Sequence, residues 1–206
     1  MTLFHPRLEI LPAEQREAWR WLGFTKESFV LYGGTALALR LGHRVSVDFD
    51  FFSFAPLDPG ALLRRQPWGS SAEPLQLEPN TLTVLIRQGD RPVRLSFFGG
   101  ISWKPVQEAE MTDDGMCRVA GLPDLFATKL NTVYQRAEAK DYLDIHALLQ
   151  SGLSLSQGLD FARQVYGSEF NAMLPVQALC YFEEPRLQAL PVEVKADLVA
   201  AVRTVT

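Results

Sequence analysis

Two features of this sequence could do chemistry together: the pair Gly33 and Gly34 and, after thirteen intervening residues, Asp48-x-Asp50. Two glycines between a strand and a helix let the backbone turn sharply and bring amide N–H groups close to a ligand, while the helix N-terminus adds partial positive charge. Such a corner suits a phosphate. Residues two apart on a strand project from one face, so Asp48 and Asp50 would present both carboxylates together while Val47, Phe49 and Phe51 point the other way. Like charges this close repel, which raises one pKa or calls for a cation, and hard oxygen ligands at this spacing suit Mg²⁺ shared with phosphate oxygens. With a helix between them, corner and carboxylates would converge at one end of adjacent strands. That is the minimal apparatus for nucleotidyl transfer, where charge on the triphosphate and on the leaving pyrophosphate must be neutralised.

The elements that must position these residues can be read from periodicity. Residues 13–22 predict an amphipathic helix, 28–32 a buried strand, 35–41 a helix and 45–52 an alternating strand rich in β-formers. A further helix is expected near 59–66, and residues 81–87 and 92–98 read as a hairpin around a turn at 88–91. Beyond Gly121 the β-signature stops: residues 123–149 carry apolar side chains at helical spacing, and more helices are expected at 154–166, 170–182 and 191–203. The expected fold class is α+β. A small mixed β-sheet flanked by helices would occupy residues 1–120, and a bundle of four or five helices residues 121–206.

Composition narrows the function classes. At 206 residues, 47% apolar and 21% charged, the chain has a globular profile that excludes collagen, disorder and coiled coil. Net charge is −4 with no Lys/Arg-rich run, so a protein that coats nucleic acid is not expected, and RNA contact would have to be local. Cys117 and Cys180 match no metal or redox spacing and read as buried free thiols, which fits a reducing compartment. No secretory leader or membrane span is evident, and a cytoplasmic protein is expected.

The string GGTALALRLGHRVSVDFDFF, followed by Lys129 and by Arg136-x-x-x-Lys140-Asp141-x-x-Asp144, resembles the AbiEii/AbiGii toxin family of the nucleotidyltransferase superfamily over roughly residues 28–150. The resemblance implies a nucleotidyltransferase lobe with a helical lobe, a nucleoside triphosphate (NTP) and Mg²⁺ as cofactors, an antitoxin as partner, and a role in abortive phage infection. It also implies transfer of a nucleoside monophosphate from an NTP to an RNA, tRNA for some members, or to a protein. Carried onto these residues, Gly33, Gly34 and Thr35 would hold phosphate, Asp48 and Asp50 the metal, and Arg44 and Ser46 would orient the triphosphate. Lys129 would contact phosphate from the helical lobe, and Asp141 would aid the acceptor or hold Lys140.

One departure stands out. Active superfamily members usually supply a third carboxylate from a later strand, expected here within 92–98, where this chain offers Ser96. A serine is neither an anionic ligand nor a general base, so a second reading stands beside the first: a catalytically reduced protein that binds a nucleotide or a protein partner. Blander roles also bear on these residues. On one continuous helix Lys129, Arg136 and Lys140 would form a polar stripe with a surface Lys140–Asp144 pair. His43 and His146 read as structural, and the phenylalanines around Asp48 and Asp50 as core. A tRNA acceptor would need a basic rim, for which Arg64, Arg65, Arg87, Arg91 and Arg94 are the candidates.

Overall fold

Alternating aromatic residues organise the sheet of this protein, for which the computed structural model describes residues 3–65, 68, 71–87 and 91–205. The chain divides into two units, Met1–Ser102 with Glu108–Ala120, and Trp103–Gln107 with Gly121–Thr206. Among the described residues the first unit holds strands β1 (Leu3–Phe4), β2 (Val30–Tyr32), β3 (Asp48–Phe52), β4 (Ala72–Glu78), β5 (Thr81–Ile86), β6 (Val93–Phe98), β7 (Glu110–Thr112) and β8 (Arg118–Val119). They form one mixed sheet in the order β1-β7-β8-β2-β3-β6-β5-β4. Helices α1 (Ala13–Trp19), α2 (Gly33–Leu41) and α3 (Pro59–Arg65) belong to the same unit.

The centre of this sheet is the part that matters for the site. β2 and β3 are antiparallel, pairing Tyr32 with Asp50, so the end of β2 and the start of β3 lie together. β3 and β6 are parallel and in register from Asp48 beside Arg94 to Phe52 beside Phe98. One face of β3 carries Phe49 and Phe51, both fully buried, and the Phe51 ring stacks on Phe97 of β6 at 5.3 Å between centroids. Burial of rings this size is worth about 2–3 kcal/mol each, enough to fix which face of the strand turns inward. The expected antiparallel hairpin of β5 and β6 is present, although turn residues 88–90 lie outside the described residues, as does Gln66 at the end of the expected 59–66 helix.

The sheet is larger than expected, with eight strands among the described residues where four were read. β1, β7 and β8 are two or three residues long and carry no alternation to read. β4 is an edge strand interrupted by a bulge at Pro74, and Pro is tolerated there because a missing N–H costs nothing at an edge.

The second unit is helical: α4 (Leu122–Val133), α5 (Ala139–Gln150), α6 (Leu155–Tyr166), α7 (Met173–Ala178) and α8 (Val192–Val202). Buried Asp124 near the start of α4 accepts the backbone N–H groups of Val106 at 2.8 Å and Gln107 at 3.0 Å, which fastens the 103–107 segment to this unit. The continuous helix expected over 123–149 is two helices, because the chain becomes extended at Glu138 (φ −111°, ψ 124°) before α5 begins. No Gly or Pro marks this break. The expected 170–182 helix is also shorter, since Phe170 is extended and only Met173–Ala178 is α-helical. Among the described residues no helix is long and apolar enough to cross a membrane.

The two cysteines differ, contrary to the sequence expectation that both are buried: Cys117 is buried and Cys180 exposed. Burial pushes the Cys117 thiol up to about 12, which leaves almost no thiolate at neutral pH. Native protein should therefore react with a disulfide reagent at one thiol quickly and at the second only on unfolding, and Cys180→Ser should abolish the fast phase. Two equally fast thiols would contradict the packing described around Cys117.

Candidate active site

The site begins with the two glycines, which are the first residues of α2 rather than a separate turn before it. Gly33 has φ +74°, a conformation that L side chains rarely adopt, and a Cβ there would come within 2.7 Å of Asp50 Oδ2. A Cβ on Gly34 would come within 2.5 Å of Arg44 Nη2 and 3.0 Å of Ser46 Oγ. The absence of side chains at both positions lets a carboxylate, a guanidinium and a hydroxyl close on the start of one helix. The N-cap residue of that helix, Tyr32, makes no side-chain capping bond.

Thr35, fully buried, fastens this corner to the next strand: its hydroxyl donates to the Asp48 carbonyl and lies 3.0 Å from Ser46 Oγ. Arg44 Nη1 donates to the Val45 carbonyl at 3.0 Å, which curls its side chain back over the loop leading into β3. Asp48 and Asp50 lie on the face of β3 opposite Phe49 and Phe51, each half-buried. Val47 precedes the strand and is exposed, so it does not share the buried face as the alternation suggested. The structure thus brings Gly33, Gly34, Thr35, Arg44, Ser46, Asp48 and Asp50 together.

β6 supplies the next residues on this face. Ser96 lies beside Asp50 and is 1% exposed, while Arg94 lies beside Asp48 with its Nε 4.0 Å from Asp48 Oδ1. Sequence reading gave Arg94 no place at the carboxylates. The signal was available, since the alternation of VRLSFF puts residues 94 and 96 on one face, but the register against β3 was not.

Lys129 and Asp141 form a second cluster, within the helical unit. Lys129 Nζ is 2.8 Å from Asp141 Oδ1 and 2.7 Å from Asp144 Oδ2, and both carboxylates are fully buried. Arg136 donates to Asp141 through Nε at 2.8 Å and Nη2 at 3.2 Å. The surface pair expected between Lys140 and Asp144 does not form: Lys140 pairs instead with Glu138 at 2.9 Å, and Asp144 turns inward to Lys129. Burial by itself would raise the Asp141 carboxyl, but the Arg136 hydrogen bonds and the charge of Lys129 more than offset it and hold the group below the ordinary carboxylate range. His146, expected to be structural, has its Nε2 2.8 Å from Asp197 Oδ2, bridging α5 and α8.

The family described as "Nucleotidyl transferase AbiEii toxin, Type IV TA system" matches residues 18–76 and 65–203, which together include every residue of both clusters. The chain belongs to the AbiEii nucleotidyltransferase toxin family. An uncharacterized protein of Aquifex aeolicus (strain VF5) is 32% identical over 182 residues, covering 85% of each chain. The solved structure of MenT4, a nucleotidyltransferase toxin of Mycobacterium tuberculosis H37Rv, superposes with a TM-score of 0.58 at 16% identity, covering 93% of this chain and 80% of that one. That likeness is one of fold.

As an AbiEii family member the protein carries a toxin-type nucleotidyltransferase fold, and a type IV toxin–antitoxin system implies an antitoxin partner. Among the described residues no cluster of three or more His, Cys, Asp or Glu could hold a metal ion. Two carboxylates on one strand face beside the glycine corner nevertheless have the chemistry that suits magnesium, which usually takes one or two carboxylates and completes its shell with water and substrate phosphates.

The buried cluster generates a pH prediction. Because the Asp141 pKa is lowered on folding, its contribution is complete above the unfolded value of about 3.9 and is lost as pH falls through the folded value. Asp141→Asn, which leaves Lys129 and Arg136 short of one counter-charge, should cost about 3 kcal/mol in urea unfolding at pH 7. The wild type's advantage should shrink progressively below about pH 4, whereas an advantage that grows on acidification would reverse the assignment.

Proposed function

We propose that this chain is a Mg²⁺-dependent nucleotidyltransferase that moves a nucleoside monophosphate from an NTP to a hydroxyl of an RNA, tRNA among the candidate acceptors, or of a protein, and so acts as the toxin of its system. The observation that carries this reading is the packing of the Asp50 carboxylate and the Arg44 guanidinium against Gly33 and Gly34, with Asp48 on the same strand face as Asp50. In the reaction the acceptor oxygen bonds to the α-phosphorus, the bond from that phosphorus to the bridging oxygen breaks, pyrophosphate leaves, and the hydroxyl proton passes to solvent.

Asp48 and Asp50 would hold the metal, which when bound neutralises triphosphate charge and stabilises the leaving group. The backbone at Gly33 and Gly34 would admit phosphate against the start of α2, where the helix dipole favours an anion. Arg44 and Ser46 would fix the orientation of the triphosphate, and Thr35 would hold the corner in shape through its bond to the Asp48 carbonyl. The roles expected of Lys129 and Asp141, phosphate contact and help to the acceptor, belong to the same proposal; within the helical unit Lys129 is held between Asp141 and Asp144 at 2.8 and 2.7 Å.

A second reading rests on β6, where the residues beside Asp50 and Asp48 are a neutral, buried serine and an arginine instead of a third acid. It gives a nucleotide-binding or protein-binding module without transfer. Incubation with each of four α-labelled NTPs, Mg²⁺ and total RNA separates the two. Under the first, label becomes covalently attached and falls about a hundredfold or more in Asp48→Asn, which removes one anionic ligand at little cost to folding because Asp48 is half-exposed. Label retained in that variant would overturn the assignment. Mg²⁺-dependent nucleotide binding without label from any NTP would establish the second reading.

A further inference from the structure

Among the described residues, Arg94 is the one cationic side chain that the sheet register delivers to the carboxylate pair. Along β6, Val93, Leu95 and Phe97 are fully buried, while Arg94 projects to the face that carries Asp48. Its Nε stands 4.0 Å from Asp48 Oδ1, with 49% of the Arg94 side chain and 38% of that of Asp48 exposed. A pair this long and this exposed adds little to folding. The neighbour across β5 is Leu85, and the nearest acid beyond it on β4, Glu73, is already paired with Arg87 at 2.8 Å. Arg94 thus keeps most of its five N–H donors for something else.

We propose that Arg94 is a triphosphate-binding residue of this site, holding a phosphate of the NTP with its guanidinium and resting loosely on Asp48 when no nucleotide is present. The proposal rests on the nucleotide-site reading above. A divalent ion balances two carboxylates but leaves the triphosphate's own charge largely uncompensated, and the site supplies two guanidiniums for it: Arg44 against Gly34, and Arg94 beside Asp48. A planar guanidinium meets a phosphate through two parallel N–H bonds, a geometry that lysine cannot reproduce. The same residue competes with a metal cation for Asp48 while the nucleotide is absent.

Removing it should consequently have effects of opposite sign on the two ligands. With a fluorescent NTP analogue and Mg²⁺, R94A should bind the nucleotide about tenfold or more weakly than wild type, and R94K should fall between them. In calorimetry without nucleotide, R94A should bind Mg²⁺ as tightly as wild type or severalfold more tightly, because Asp48 has lost a competing cation. Nucleotide affinity unchanged in R94A would overturn the proposal, as would a parallel loss of Mg²⁺ affinity, which marks a general collapse of the site. D48N in the same two assays distinguishes the levels of failure. If D48N loses Mg²⁺ while R94A binds nucleotide normally, the role of Arg94 fails and the site stands; if D48N and wild type bind Mg²⁺ alike, the site reading fails.

Discussion

The inward face of β3 constrains everything else in the first unit. Phe49 and Phe51 are fully buried, and Phe51 stacks on Phe97 at 5.3 Å. Side chains alternate along a strand, so a slip of one residue would drive two carboxylates into this aromatic layer and two rings into water, at several kcal/mol for each group. Register is therefore settled by apolar packing alone. Once it is, Asp48 and Asp50 have no choice of face, and the partner residues on β6 are Arg94 and Ser96. The hydrophobic core aims the chemistry without touching it.

Placing two carboxylates on one face creates a repulsion that the rest of the corner is built to accommodate. Asp50 lies where a side chain on residue 33 would stand, and the positive φ of Gly33 reserves that position for a residue without a Cβ. On the other flank Arg94 offers a charge near enough to soften the repulsion and held only loosely, 4.0 Å from Asp48. Thr35 ties the helix start to the strand start through backbone, so the corner keeps its shape whatever its charged side chains do.

Much of this was legible in the sequence, for identifiable reasons. Gly33, Gly34, Asp48 and Asp50 carry local signals: glycines at a strand-to-helix corner, and alternation of acids with aromatics. The hairpin of β5 and β6 was readable because both strands are long and alternate. The short strands β1, β7 and β8 were not, since two or three residues carry no period, and β4 was masked by its proline. The partners of the acids escaped for a different reason. That Arg94 meets Asp48, or that Asp144 meets Lys129 instead of Lys140, depends on register and on a helix break that no Gly or Pro announces.

That break explains how the second unit can bury three charges, Lys129, Asp141 and Asp144, with the exposed Arg136 closing over Asp141. On one continuous helix Lys129, Asp141 and Asp144 would lie up to fifteen positions apart along a single axis, roughly 22 Å at 1.5 Å per residue, too far for ion pairs. Ending α4 at Val133 and restarting at Ala139 folds the acids back onto the lysine, at 2.8 and 2.7 Å. Such a cluster is stable only when every charge is answered, and here two cations meet two carboxylates with several hydrogen bonds among them. The two units thus handle charge in opposite ways. The helical unit holds its charges at hydrogen-bond distance, where removing any one leaves another buried and uncompensated. At β3 the pairing is long and half-exposed, so ligand charge can replace protein charge at little cost, which is the property a site for a charged substrate needs.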